Sequence, residues 1–394
     1  MRASATPSRI GWRGIAVVVF VVGWGGNQFT PLLLLYRAVE GFSPVEVDIL
    51  FAGYIVGLIP GLLVGGPLSD RFGRKPLLWV ALALSAVASL VLAIGADSVI
   101  LLAVGRFVAG ASVGVVMAVG TSWIRDLSKD AGASRAARRA SIPLSAGFGL
   151  AAVVAGVLAQ WGPIPTVLPY VIQIALCALA AIALAAVPGE PPSDGALRSI
   201  GRDLAIPRAV RTRFLLVVLP SAPWVFGSAA LAFVVAPSML KPEEGSLGIA
   251  YATLCAALTL ATGVAIQQFG SRLVENTRGR QVVAGIAATV IGLAILIVAV
   301  LTESLVLGAV AAVVFGAAYG VILLAGLVEV QRMAGEHHLG GITGIFYALT
   351  YLGFTFPAIL AALGMSIGSF ALLAGVAVVA VLCGILAAVG LARR

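Results

Sequence analysis

Six residues in one short stretch, Gly66, Asp70, Arg71, Gly73, Arg74 and Lys75, combine one acid, three bases and two glycines between two long apolar runs. The chemistry on offer is ionic. A carboxylate near helix ends can accept from backbone N–H groups, and the bases can pair with acids on neighbouring helices. Asp126, at the end of a later apolar run, is the best placed of these acids. The glycines permit a tight turn and close contact. On the plainer reading, the bases only fix which side of a membrane the turn occupies.

Arg106 is the single charge well inside an apolar run. A guanidinium near the bilayer midplane is costly unless it faces a partner or water. Helical spacing puts Arg106, Gly110 and Gly114 on one face. Either Arg106 handles substrate or protons, or it snorkels to the outer surface. No carboxylate is expected deep in any apolar run. The nearest is Asp48, which with Arg106 is the candidate for proton coupling. Ser43-Pro44-Val45-Glu46 just before it has the form of a capping box with proline at the first helical position. Glu46 and Asp48 equally suit the positive end of a helix dipole.

A substrate cavity is expected from Trp24, Asn27, Gln28, Arg106, Trp224, Tyr319, Tyr347, Tyr351 and Phe354. Aromatic rings with two amides and one cation suit a hydrophobic or amphipathic solute, and suit a polyanion poorly. The same aromatics also serve as plain packing. Trp12, Trp79, Trp123 and Trp161 lie near helix ends and read as interfacial anchors.

The elements that must carry these residues follow from composition. The chain is 61% hydrophobic and 10% charged over 394 residues. Soluble domains carry about 25% charged residues, so a water-soluble globule is excluded. Runs of roughly 20 apolar residues span a hydrocarbon core of about 30 Å. Twelve are read, at 14–36, 46–68, 76–96, 99–122, 141–161, 165–187, 214–239, 248–269, 282–301, 305–328, 341–363 and 367–391. The first is read as a helix and not as a removed signal peptide. With both termini cytoplasmic, 22 of the 25 Lys and Arg fall inside, which is the positive-inside pattern. That accounts for the +9 charge without nucleic acid, and makes anionic lipid headgroups the contacts of the basic loops. Cys177, Cys255 and Cys383 fall in apolar runs without disulfide or metal spacing, and His337 and His338 sit in a loop beside Glu336. No cofactor or metal is expected.

The chain repeats itself. Gly66 through Lys75 aligns with Gly263 through Arg272, which makes Gln267 and Ser271 the counterparts of Asp70 and Arg74. Gly110, Gly114 and Gly147 align with Gly316, Gly320 and Gly353 at a different spacing, 206 residues. The difference reads as a longer loop between the eighth and ninth segments. Two six-helix bundles are expected, 1–187 and 214–394, joined by a cytoplasmic linker at 188–213 that opens with Pro188, Gly189, Pro191 and Pro192. Gly53, Gly57, Gly61 and Gly65 recur every four residues and leave a groove for another helix backbone.

The stretch Gly66-Pro-Leu-Ser-Asp70-Arg71-Phe72-Gly73-Arg74-Lys75 resembles the loop signature of the major facilitator superfamily, Gly-x-x-x-Asp-Arg-x-Gly-Arg-Lys. Arg106-Phe-Val-Ala-Gly110 resembles that family's Arg-x-x-x-Gly motif. The resemblance implies an all-α membrane fold of twelve helices, and a secondary transporter working by alternating access rather than an enzyme. It implies that the loop cluster, with Asp126, latches the cytoplasmic side. The pattern is nearest to the bacterial drug–proton antiporters, which implies proton-coupled efflux by a monomer in the cell membrane. A proton symporter or facilitator for uptake of a small metabolite is the alternative, and a membrane-embedded enzyme or sensor is the alternative of another class. Where those antiporters carry Gly-x-x-x-Gly-Pro-x-x-Gly-Gly, this chain has Gly147 to Gly156 without the proline.

Overall fold

The computed structural model describes residues 11–131, 133–189, 206, 208–240, 247–269, 279–333, 339–364 and 368–393; a few side chains within helices, that of Asp48 among them, fall outside the description. The described residues are helical, without a strand. In chain order the helices are α1 (Gly11–Asn27), α2 (Leu32–Val39), α3 (Pro44–Phe72), α4 (Arg74–Ile94), α5 (Val99–Asp126), α6 (Ala133–Trp161) and α7 (Leu168–Ala185). There follow α8 (Val210–Leu240), α9 (Gly248–Phe269), α10 (Arg280–Leu301), α11 (Leu305–Met333), α12 (Ile342–Gly364) and α13 (Ser369–Ala392).

Among the described residues, eleven helices are long and apolar enough to cross a membrane. The first segment departs from the reading of one helix over 14–36. It breaks after Asn27 and restarts at Leu32. Pro31 supplies the cause, because its ring lacks an N–H and would clash with the carbonyl of Asn27 in a continuous helix. The 17 described residues of α1 span about 25 Å at 1.5 Å each.

The chain forms two compact units, one of Met1–Phe29 with Gly53–Ile200 and one of Thr30–Ala52 with Gly201–Arg394. In the first, α1 touches α4, α5, α6 and α7, and α4 also packs along α5 and α7. In the second, α11 packs along α8, α9 and α10, while α13 lies on α10. Val80, Val87, Leu90 and Ile94 on α4 are exposed, as are Val378, Val381, Leu382 and Ile385 on α13. Spaced by three, four or seven residues, they form apolar stripes that a hydrocarbon solvent satisfies and water does not. Trp79 and Trp161 are exposed near helix ends. Trp123 corrects the anchor reading: it is 1% exposed, inside the first unit.

Glycines set the closest helix approaches. A side chain on Gly57 or Gly110 would strike the backbone carbonyl of Phe107 or Tyr54, and Gly61 and Gly114 meet the facing backbone the same way. Helices α3 and α5 therefore meet glycine face against glycine face. Gly53 and Gly66 have open space instead.

The second unit repeats the pattern. Gly316 meets the carbonyl of Thr259 and Gly320 that of Gly263, so α9 and α11 meet as α3 and α5 do. Gly147 lies on the backbone of α1 at Phe20, and Gly353 on that of α8 at Pro223. Gly73 and Gly279, also 206 residues apart, precede α4 and α10 with φ of +89° and +86°. One spacing of 206 thus runs through from loop to helix. This corrects the alignment of Gly66 with Gly263: the residue matching Arg74 is Arg280, not Ser271, which lies outside the described residues, as do His337 and His338. The alignment on Gly66 rests on two shared glycines and a phenylalanine, where the helix contacts made at the spacing of 206 are the stronger guide.

Candidate functional site

In the first unit, Gly73 takes a left-handed φ and caps α4, so Arg74 and Lys75 lead that helix. Arg74 Nη2 donates to Asp126 Oδ2 at 2.6 Å, joining the start of α4 to the end of α5. Among the described residues Lys75 meets carbonyls instead of an acid. Its Nζ donates to those of Val187 at 2.5 Å and Ala185 at 3.2 Å, where α7 ends. A cation there satisfies carbonyls that have no partner within the helix. Arg71 is exposed and lies over the Phe72 ring at 5.1 Å. Asp70 is exposed in the last turn of α3.

Arg106 is 1% exposed, so it does not snorkel. Its Nη1 donates to the Gly26 carbonyl at 3.2 Å. The guanidinium carbon stands 4.6 Å from the Phe29 ring and 4.4 Å from the Tyr54 ring. Two aromatic faces thus solvate the cation where water cannot. Neither Phe29 nor Tyr54 was expected at this site; helical spacing locates a cation's own face but not the helices that cover it.

The amides fall nearby on α1 and its end. Asn27 Nδ2 donates to the Phe148 carbonyl at 2.9 Å. Gln28 is fully buried, with Nε2 3.5 Å from the Ser89 hydroxyl. Gln173 of α7, which no sequence motif marks, donates to the Val21 carbonyl and the Ser85 hydroxyl, both at 2.9 Å. Trp24 packs on Phe20 with ring centres 6.1 Å apart. Asp48 falls in an early turn of α3, its side chain outside the described residues. The capping box beside it is formed. Ser43 N–H and its hydroxyl each donate to Glu46 Oε2 at 2.8 Å, and Glu46 N–H returns to the Ser43 hydroxyl at 3.3 Å. The Ser43 backbone N–H above all, with the hydroxyl, holds the Glu46 carboxyl below its usual range.

In the second unit the expected aromatics gather around a residue not foreseen, Phe226 of α8. Its ring centre lies 4.4 Å from Tyr351, 4.7 Å from Phe354 and 5.6 Å from Tyr319. Tyr347 sits one step away, against Phe346 at 5.8 Å. Trp224 points elsewhere and meets Phe356 edge-on at 5.3 Å. The helix that carries Phe226 is irregular. Phe214–Val218 and Leu231–Val235 are π turns, and Pro220, Pro223 and Pro237 interrupt its ladder.

A buried carboxylate that the sequence reading passed over lies near the end of α11, Glu329. It is 1% exposed in α11 and pairs with Arg213 at the root of α8, while Arg332 stands 4.0 Å away. The apolar segment reads as ending at 328, one residue short; the helix runs to Met333. The acid was legible as the last break in that run.

The family profile described as Major Facilitator Superfamily matches residues 15–357. A triacylglyceride transporter of Mycolicibacterium smegmatis is 38% identical over 82 residues, 21% of this chain and 14% of that protein. The multidrug resistance protein MdtL of Klebsiella pneumoniae is 34% identical over 90 residues, 23% of each chain. The quinolone resistance protein NorA of Staphylococcus aureus is 25% identical over 142 residues, 36% of each. The chain thus spans little more than a third of these relatives' length at most. Among solved structures, a point mutant of the nucleoside transporter NupG superposes with a TM-score of 0.77 at 12% identity, over 96% of this chain and 99% of that one. A D-xylose–proton symporter does so at 0.74 and 16%, over 97% and 96%.

Proposed function

The chain belongs to the major facilitator superfamily, and from that premise we propose that it is a multi-pass membrane transporter that exports hydrophobic or amphipathic compounds in exchange for protons. The observation that carries this reading is the ring cluster of Phe226, Tyr319, Tyr351 and Phe354. Offset and tilted aromatic faces take up flat apolar solutes without a fixed pattern of hydrogen bonds. The names of MdtL and NorA, both resistance proteins, support it.

On this reading the chain works by alternating access with two six-helix halves, 1–187 and 214–394, and with 188–213 as linker. All twelve segments then cross the cell membrane, both termini lie in the cytoplasm, and the protein works as a monomer among anionic lipids. Gly66, Asp70, Arg71, Gly73, Arg74, Lys75 and Asp126 form the cytoplasmic latch. Trp24, Asn27, Gln28, Arg106, Trp224, Tyr319, Tyr347, Tyr351 and Phe354 serve the substrate, and Asp48 and Arg106 are candidates for proton handling.

The test uses purified protein in liposomes under an imposed pH gradient, offered ethidium, chloramphenicol and xylose in turn. Movement of ethidium or chloramphenicol with none of xylose supports export of apolar solutes. Movement of xylose alone makes it a sugar carrier.

A further inference from the structure

We propose that Glu329 carries the coupling proton and that Arg213 is the cation that displaces it; the proposal rests on the proton-coupled reading above. Glu329 is 1% exposed, whereas the Arg213 side chain is 38% exposed. The cation has a path to water and the carboxylate has none. While the two are paired, the buried charge is compensated. When Arg213 withdraws, a bare carboxylate out of water is strongly unfavourable, and such a group neutralises by binding a proton.

Few groups face this carboxylate among the described residues. Arg213 holds Oε1 from α8, and Arg332 of α11 itself stands 4.0 Å from Oε2. The first turn of α10 is close enough that a side-chain carbon on Gly279 would lie 3.0 Å from Oε2, with Leu391 of α13 on the same glycine. Oε2 accepts no hydrogen bond from the described residues. Arg332 and the positive end of α10 both favour the anion. Loading a proton therefore requires the departure of the cation in direct contact, Arg213.

The root of α8 has the means to move. Arg213 is followed at once by the π turn Phe214–Val218, and then by Pro220 and Pro223. A π turn followed by prolines marks a helix whose ladder can rearrange. The pair is also confined to one half. The residue matching Glu329 at the spacing of 206 is Trp123, so symmetric packing does not require a charge there. In the reaction, hydronium admitted from the outer side gives a proton to a Glu329 oxygen as Arg213 leaves, and water remains. The proton returns to water when the guanidinium closes again, and no other bond changes. The positive-inside count places this end in the cytoplasm, where an exporter driven by protons must release them.

Infrared difference spectra of the purified full chain, between acidic and alkaline buffer, read the proton directly. A carboxylic acid band should vanish in Glu329→Gln and remain in Glu329→Asp. In Arg213→Gln it should persist into more alkaline buffer, because the displacing cation is gone. A spectrum unchanged by both Glu329→Gln and Arg213→Gln overturns the proposal. In liposomes, Glu329→Gln should lose ethidium movement driven by a pH gradient and keep ethidium–ethidium exchange; gradient-driven movement at the wild-type rate overturns it. If wild-type protein ignores the pH gradient, the proton-coupled reading falls, and the infrared band alone decides whether Glu329 binds a proton.

Discussion

Arg74 and Asp126 join the start of α4 to the end of α5 through a 2.6 Å contact, yet their side chains remain 27% and 33% exposed. A pair so well solvated contributes about 0.2–1 kcal/mol. That is too little to hold a bundle together, and enough to bias two conformations of similar energy. Arg74→Ala and Asp126→Asn should each leave the melting temperature nearly unchanged while slowing ethidium transport several-fold. The exchanged pair Arg74→Asp with Asp126→Arg should recover part of the rate. A melting temperature that falls as steeply as transport would make the pair a structural contact only.

The register of the repeat has its own test. Gly73 and Gly279 both hold a positive φ, +89° and +86°, with ψ of 153° and −4°, and left-handed backbone costs a residue with a side chain about 1–2 kcal/mol. Gly73→Ala and Gly279→Ala should each lower the melting temperature, with Gly279→Ala also pressing a methyl group on Leu391 and Glu329. A penalty at Gly73 with none at Gly279 would break the spacing of 206.

Close helix contact predicts a contrast within α3. Gly57→Ala would press a methyl group on the Phe107 carbonyl, and Gly110→Ala one on the Tyr54 carbonyl, whereas Gly53→Ala meets open space. Overpacking of this kind costs about 1–3 kcal/mol. Thermal unfolding in detergent should show the first two variants destabilised and Gly53→Ala close to wild type.

Arg106 should resist even conservative change. Its planar cation lies against both Phe29 and Tyr54 and donates to Gly26. A lysine is a compact point charge without a face to stack. Arg106→Ala should abolish transport and Arg106→Lys should restore little of it. Leaving the Gly26 carbonyl unsatisfied costs about 1–3 kcal/mol of stability as well. Wild-type transport in Arg106→Lys would show that charge alone suffices.

Much of this was legible in the residues. Apolar length placed the spans, because a bilayer demands about 20 such residues, and the order of glycine, acid and base marked the turn before Arg74. The break at Pro31 was legible too, had the proline been weighed against the apolar run around it. Other features were not. Burial of Glu329 depends on the roots of α8 and α10 closing on it, and the ring cluster depends on Phe226 arriving between residues more than ninety positions away in the chain. Such contacts follow from packing, and periodicity within one helix does not report them. The match of Gly66 to Gly263 failed for a related reason. Shared letters are weaker guides to a repeat than shared helix contacts, such as those of Gly110 with Gly316 and Gly147 with Gly353.

The central claim is exchange of an apolar solute for protons, and one measurement reaches it without an imposed pH gradient. Liposomes holding the protein and a pH-sensitive dye are given an ethidium gradient alone. The account predicts a proton flux opposite to the ethidium flux, absent from empty liposomes and abolished in Arg106→Ala. Ethidium movement with no accompanying proton flux, or with protons moving in the same direction, would contradict it.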